Sequence, residues 1–233
     1  MQGRFKIWLL VALLLALGAC QPKRHPALVF LSPSPETEAV GLFHEVQAGE
    51  SLGAIARTYG TDVQDLAEVN GIEDANRIKV GQRIFVPDAV EAKQVEGVAS
   101  AAQNRVVKQL GKYIWPVDGV LTSRFGIRRG RRHDGIDIGA PEGTPIHAAA
   151  SGQVLYVGEQ SGYGNLVILR HDKGAITVYA HNLRNLVKEG ESVEQGQKIA
   201  LVGKTGRATG PHLHFEIRQG RRPRNPLFFL PKP

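Results

Sequence analysis

The stretch HLHFEI at residues 212–217 alternates polar and apolar side chains, which is the pattern of a β-strand with one buried face. His212, His214 and Glu216 share one face of this predicted strand, and the residues between them are apolar. Two imidazoles held two residues apart on a rigid strand can address one point in space. The stretch therefore predicts a β-sheet with a polar site on one face.

Short β-branched and apolar runs, separated by Gly and Pro, surround this stretch throughout residues 113–233. The 27 Gly and 13 Pro of the 233-residue chain favour short strands and turns over long helices. We therefore predict a mainly β domain of antiparallel sheets. Its predicted strands include 153–157, 166–169, 175–179, 198–202 and 213–217.

Two further stretches carry histidines with a regular spacing. HDGIDI begins at His133, and alternation places His133, Gly135 and Asp137 on one side, with Gly135 leaving room for an ion between its neighbours. TVYAH ends at His181, which alternation places on the same face as Tyr179. The sequence thus predicts that polar groups from three separate stretches meet in one β domain.

Two histidines and one carboxylate are a typical zinc set, in which three protein ligands leave one position open for water. The ion lowers the pKa of that water towards about 7 and polarises a substrate carbonyl. We therefore predict a Zn²⁺ site, although the spacing alone leaves open which histidines bind the ion. A serine or cysteine hydrolase is disfavoured, because there is no G-x-S-x-G motif and the single cysteine, Cys20, lies far from these residues.

Four segments of the chain resemble the lysostaphin- or LytM-type zinc metallopeptidases of bacterial walls. They are HDGIDIGAPEGTPI, GYGNLVILRH, TVYAH and TGPHLHFEIR. The resemblance implies that His133, Asp137 and His214 bind Zn²⁺. It implies that His181 and His212 orient the metal-bound water and stabilise the oxyanion. The implied reaction is endopeptidase hydrolysis of peptidoglycan, at the D-alanyl–diaminopimelate cross-link in a Gram-negative wall.

An arginine-rich loop, IRRGRR at residues 127–132, precedes the first of these stretches. In the peptidase family this loop borders the substrate groove and is often longer. A solvated basic loop is one interpretation. The other is that Arg128, Arg129 and Arg132 bind the carboxylates of stem peptides, which a guanidinium group can bind bidentately.

The pattern of residues 44–87 predicts a strand, two helices and a second strand. Its characteristic segments are VQAGESLGAIARTYG, LAEVNGI and IKVGQRIFVP. The segment resembles a LysM domain, a small α+β module that binds the N-acetylglucosamine-containing glycan of peptidoglycan. The resemblance implies a shallow groove between the loops before the first helix and before the second strand. Gly49, Ser51, Leu52 and Ile78 are therefore candidate glycan-binding residues.

The N-terminus has the features of an export signal. Two basic residues precede an apolar run at 7–17, which is too short to span a bilayer comfortably and ends before Cys20. This resembles the bacterial lipobox and implies a signal peptide at 1–19, a lipidated Cys20 and membrane attachment. Gln21, where an inner-membrane signal tends to have Asp, implies the outer membrane facing the periplasm. An ordinary signal peptide with an incidental cysteine is the alternative.

Composition and charge set limits on the remaining segments. We interpret proline-containing residues 20–43 as a tether and residues 88–112 as a partly helical linker. Residues 44–87 hold 4 Lys/Arg against 7 Asp/Glu, whereas residues 113–233 hold 17 against 10. The positive charge of this domain suits an anionic polymer as its partner. The predicted export of the protein argues against nucleic acid as that polymer. One cysteine excludes a disulfide framework.

The order of lipobox, LysM and β domain resembles NlpD-like lipoproteins, which have lost zinc ligands and switch on periplasmic amidases during cell separation. Asn182, directly after Tyr-Ala-His, also resembles them. Yet all five polar positions of the peptidase site are present, and unpaired buried polar groups would cost free energy. We therefore predict a wall-binding zinc endopeptidase. The alternatives are a non-hydrolytic activator of N-acetylmuramoyl-L-alanine amidases and a wall-binding module only.

Overall fold

A computed structural model describes residues 36–97, 103–128 and 130–232 of the chain. The predicted signal peptide, Cys20, residues 20–35 of the tether and Arg129 lie outside the described residues. Within the described ranges, no helix has the length and apolar character needed to cross a membrane.

A short strand, β1 (Glu36–Glu38), precedes a LysM segment that has the predicted order of strand, helix, helix and strand. Its elements are β2 (Gly41–Glu45), α1 (Leu52–Tyr59), α2 (Val63–Val69) and β3 (Arg83–Pro87), with a 3₁₀ turn at Ala75–Arg77. Ser51 caps α1 by accepting from the Ala54 N–H at 3.2 Å, and Gly60 ends the helix with a φ of 69°. β2 pairs antiparallel with β3. Because β2 begins at Gly41, the first LysM strand starts within the predicted tether at 20–43.

The C-terminal part is a mainly antiparallel β domain, as the sequence predicts. Its first strands are β4 (Val120–Ser123), β5 (Gly126–Arg128), β6 (Arg131–His133), β7 (Ile136–Gly139), β8 (Pro145–His147), β9 (Gly152–Gln160) and β10 (Gly164–Arg170). The others are β11 (Ala175–Ala180), β12 (Asn182–Asn185), β13 (Ser192–Val193), β14 (Lys198–Val202), β15 (His212–Gln219) and β16 (Arg222–Arg224). Two 3₁₀ turns lie at Asp172–Gly174 and Pro226–Phe228.

The large sheet has the strand order β13-β9-β10-β11-β15-β7-β4, with β16 paired to β15. A second sheet, β12-β14-β8, packs on one of its faces, and apolar side chains such as Ile146, Ile199 and Phe215 fill the core between them. The sequence-predicted apolar face of β15 lies in this core. Strand β15 therefore presents its histidines on the opposite face of the sheet.

Residues 88–97 and 103–112 of the linker, the parts that the structure describes, contain no helix. Side-chain bonds hold it along the LysM segment instead. Asn104 accepts from the Gly53 N–H at 2.9 Å and donates to Asn76 Oδ1 at 2.6 Å, and Gln64 bonds both the N–H and the C=O of Val107. A backbone whose polar groups are satisfied by another element has less need of helical hydrogen bonds.

A buried carboxylate joins the LysM segment to the β domain. Glu68 on α2 accepts two bonds from the Arg224 guanidinium, at 2.9 and 2.6 Å, and one from the Asn225 N–H at 3.0 Å. Asn225 also donates to the Glu68 carbonyl at 3.1 Å. The Glu68 side chain is 3% exposed, so this contact is shielded from solvent. We call it the interdomain clamp.

Replacing Glu68 with alanine is expected to lower the free energy of unfolding by about 3 kcal/mol, because Arg224 would be left as a partly buried charge without its carboxylate. Urea denaturation followed by fluorescence measures this change. The matched control is Glu73→Ala, which removes an exposed carboxylate from its pair with Lys108 and should change the stability little. Equal stability of the two variants would show that the clamp contributes nothing.

Candidate metal centre

Three donor atoms from separate strands meet in a buried triangle. His133 Nε2 lies 3.0 Å from Asp137 Oδ1, His214 Nδ1 lies 2.8 Å from the same oxygen, and the two nitrogens are 3.2 Å apart. All three residues are buried. Ligands at typical zinc distances in a tetrahedral site lie about 3.3 Å from one another, so the triangle has the dimensions of one face of such a site.

The second nitrogen of each imidazole explains why a cation fits there. His133 Nδ1 lies 2.8 Å from the Arg124 carbonyl, and His214 Nε2 lies 3.0 Å from Glu216 Oε1, so each of these nitrogens donates its proton. The lone pairs of His133 Nε2 and His214 Nδ1 then both point at the Asp137 carboxylate. Three acceptor atoms facing one another require a positive charge between them, either a proton or a metal ion.

Strand register explains how the fold assembles the triangle. His214 of β15 is directly opposite Asp137 of β7, and two residues separate His133, the end of β6, from the start of β7. Gly135 lies in that gap, and its predicted role needs correction. A Cβ at this position would approach Phe215 O to 2.4 Å and His214 Cε1 to 2.9 Å, so Gly135 makes room for strand β15 rather than for an ion.

His181 also reaches the site, by a route that differs from the sequence-based prediction. Tyr179 pairs with Phe215 in the main core, so simple alternation would turn His181 away from His214. His181 instead follows the end of β11 with a φ of +64°, a left-handed backbone that reverses its direction. Its ring centroid lies 4.7 Å from that of His212 and 5.8 Å from that of His214.

His181 and His212 present the same atom to the pocket. His181 Nδ1 donates to the Thr205 carbonyl and His212 Nδ1 donates to the Gly210 carbonyl, both at 2.8 Å. Nε2 is therefore the nitrogen left to face the site, and His212 Nε2 lies 3.8 Å from Asp137 Oδ1. The structure thus brings together all five predicted side chains, around an open pocket of about 210 Å³.

Burial and neighbouring charges set the proton affinities in this pocket. Burial, with the nearby His214 and His212, lowers the pKa of His181 to about 3, so this imidazole is neutral at pH 7. Burial also works against charge on His214, but bonds to the Asp137 and Glu216 carboxylates outweigh it and raise its pKa to about 9. The same bonds, from His133 and His214, hold the pKa of Asp137 well below its usual range despite burial.

Zinc binding at pH 7 is expected to release about one proton, because the ion must displace the proton that His214 holds up to about pH 9. Affinity should therefore rise between pH 6 and pH 9. Calorimetric titration in buffers of different ionisation enthalpy measures the released proton. A binding enthalpy that is independent of the buffer would contradict this expectation.

The predicted arginines lie in different places in the structure. Arg128 lines the pocket, and its Nη1 lies 3.3 Å from Asp137 Oδ2. Arg132 lies elsewhere, bonded to Asp134 Oδ1 at 2.8 Å and facing a cleft between α2 and the β domain. Of the two predicted arginines that the structure describes, only Arg128 adjoins the metal centre.

The candidate glycan-binding residues also separate. Leu52 is fully buried in the LysM core, so its side chain has no surface to offer a glycan, and Ser51 is a buried helix cap. This corrects the prediction for the Leu52 side chain. Gly49 lies in an exposed turn with a φ of 84°, and Ile78 is half-buried beside the core.

Sequence reasoning missed two groups that line the pocket, Arg207 and Thr209. They lie in the loop that leads into β15. The glycines around them mark this loop in the sequence, and that pattern could have identified both residues as candidates. Asn182, in contrast, does not face the site. It is fully buried and donates to the Tyr179 carbonyl and to Asn185 Oδ1, so its side chain does not line the pocket.

Comparison with known proteins agrees with this arrangement. The profile of peptidase family M23 matches residues 131–226, and that of the LysM domain matches residues 44–87. The lipoprotein YgeR of Escherichia coli K12 is 40% identical over 207 residues, which cover 82% of each chain. The chain belongs to peptidase family M23.

Two other relatives of the chain have contrasting names. The murein hydrolase activator NlpD of Salmonella dublin is 31% identical over 261 residues, covering 82% of this chain and 69% of that protein. The DD-carboxypeptidase/endopeptidase Mpg of Neisseria meningitidis serogroup B is 45% identical over 120 residues, covering 48% of this chain and 28% of that protein. The M23 domain thus resembles an enzyme, and the whole chain also resembles an activator.

Proposed function

We propose that this M23 protein is a zinc endopeptidase that hydrolyses peptide cross-links in peptidoglycan and is held on the wall by its LysM domain. The observation that carries the proposal is the triangle of His133 Nε2, Asp137 Oδ1 and His214 Nδ1, with two further imidazoles beside it. A chain without metal chemistry would gain little from burying these groups together, because their desolvation costs free energy.

The triangle supplies the donor set that Zn²⁺ prefers, and a bound ion would polarise the scissile carbonyl and activate a water molecule. His181 and His212 would carry out the proton transfers. Each holds its Nδ1 proton on a backbone carbonyl, so Nε2 is available to accept a proton from the attacking water. The same nitrogen, once protonated, can stabilise the oxyanion or pass the proton to the leaving amine.

The substrate class follows from the walls of the pocket. Arg128 and Arg207 both line it, and cationic side chains beside the reacting centre favour a peptide that carries carboxylates. Stem peptides of peptidoglycan have this character. We propose that the D-alanyl–diaminopimelate cross-link is the bond cleaved, and that Gly49 and Ile78 adjoin the glycan groove of the LysM domain.

Incubation of purified sacculi with the protein tests the proposal. Mass analysis should show loss of cross-linked muropeptides, no loss after treatment with a chelator, and recovery when Zn²⁺ is added back. Intact cross-links in the presence of Zn²⁺ would contradict an endopeptidase activity. A chelator-resistant cleavage would contradict a metal mechanism.

A second candidate function is activation of a periplasmic amidase. It is favoured by the likeness to NlpD, which extends over 69% of that protein and includes more than the M23 domain. Stimulation of a purified amidase by the protein, without cleavage of cross-links, would support it. Because the two activities have different products, the same muropeptide analysis distinguishes them.

For its place in the cell, we propose attachment to the outer membrane through a lipid on Cys20, facing the periplasm. Relatives such as YgeR and the Pseudomonas aeruginosa NlpD/LppB homolog are named lipoproteins. Metabolic labelling with a fatty-acid analogue tests this, with Cys20→Ser as the control that should lose the label.

A further inference from the structure

Behind the metal centre lies a buried ionic network that the predicted zinc set does not include. Glu216 follows His214 on the same face of β15 and is completely buried. Its Oε1 accepts from His214 Nε2 at 3.0 Å and from the Tyr163 hydroxyl at 2.9 Å, and its Oε2 accepts from Arg218 Nε. Alternation thus places a histidine, a carboxylate and a guanidinium in one row below the site.

This row is costly to keep in a protein interior. Arg218 is 2% exposed, and a buried ion pair of this kind contributes no more to stability than apolar side chains of similar volume would. The network is nevertheless well satisfied, since the carboxylate has three donors and the Arg218 Nη2 also lies 3.7 Å from Asp134 Oδ2. A stabilising role alone therefore gives a weak account of these residues.

The position of the carboxylate suggests what the network does. An imidazole that donates its Nε2 proton to Glu216 carries its lone pair on Nδ1, and Nδ1 is the atom that completes the triangle with Asp137 and His133. A carboxylate partner also increases the basicity of the imidazole towards a metal. The other ligand histidine, His133, has only a backbone carbonyl in this place.

We infer that Glu216 is a positioning residue, which fixes the tautomer and ring orientation of His214 for a metal ion. Arg218 and Tyr163 hold the Glu216 carboxylate in place. The inference rests on the proposed function in one respect, namely that the triangle binds Zn²⁺. It makes no assumption about the bond that is cleaved or about an amidase.

The test compares Zn²⁺ affinity in full-length variants, measured by competition with a chromophoric chelator. Glu216→Gln keeps the size of the side chain and removes its charge, and we expect about 10- to 100-fold weaker binding. The matched control is Glu68→Gln, which alters a buried carboxylate–arginine pair that contributes no atom to the triangle or to the pocket around it, and it should bind Zn²⁺ as the wild type does. The visible spectrum of bound Co²⁺ should change only in the Glu216 variant.

Two further variants keep the test decisive if Glu216→Gln does not fold. Tyr163→Phe removes one donor to the carboxylate without changing charge, and Glu216→Gln with Arg218→Gln removes both charges together. Each should weaken Zn²⁺ binding, the double variant more strongly. Wild-type affinity in the folded variants would overturn the inference while leaving the metal centre intact. A wild-type protein that binds no Zn²⁺ would overturn both.

Discussion

Replacing His214 with alanine is expected to abolish zinc binding and to reduce cross-link cleavage by about 10³-fold or more. His214 Nδ1 is one of three donor atoms in the triangle, and two remaining ligands hold an ion poorly. Metal-ion chemistry contributes several kcal/mol to lowering the barrier, and every 1.4 kcal/mol or so is a factor of ten in rate. Zinc content after dialysis and mass analysis of muropeptides measure the two losses.

The control for this experiment is His147→Ala. His147 lies on β8, outside the metal centre, and is only half-buried. This variant should retain both zinc and cleavage. Cleavage at the wild-type rate by His214→Ala would show that the metal centre does not carry the reaction.

Replacing His212 or His181 with alanine is expected to have a different effect, in which zinc stays bound and kcat falls about 10²- to 10⁴-fold. Neither residue contributes a donor atom to the triangle, and each has Nε2 as the nitrogen left to face the pocket. Zinc content and kcat on a defined cross-linked muropeptide separate this result from that of His214→Ala.

The double variant refines this expectation. If the two imidazoles act on one proton-transfer step, removing both should slow cleavage little more than removing the more important one. Loss of zinc from either single variant would instead identify that residue as a ligand. Full activity of both single variants would place the proton transfer in other groups.

Much of the fold follows from local patterns. The alternation in β15 predicted its buried face. Capping residues and apolar spacing predicted the order of elements in the LysM segment. Both signals depend only on neighbouring residues. The five polar side chains of the site were also predicted. What the pattern could not give was their geometry, since the His214–Asp137 pairing depends on strand register across 77 residues.

The failures have identifiable physical causes. A positive φ at His181 breaks the alternation from which its direction was predicted, and only the folded chain shows it. Gly135 was interpreted as space for an ion, whereas its space is filled by the neighbouring strand. In the described residues of the linker, hydrogen bonds to the LysM segment take the place of helical ones, which no local pattern could predict. For Gly135 and the linker, a contact distant in sequence decided the outcome.

The interdomain clamp has a consequence for how the proposed enzyme would engage peptidoglycan. The Glu68–Arg224 bonds hold the LysM segment against the domain that carries the metal triangle, so the proposed glycan-binding loops and the proposed cleavage site have a defined separation in this structure. Two joined sites engage one polymer only where their separation matches the spacing of its repeats. Under the proposed function, the clamp would favour cross-links that lie at this separation from the bound glycan, and opening it would widen the set of cross-links that is cleaved.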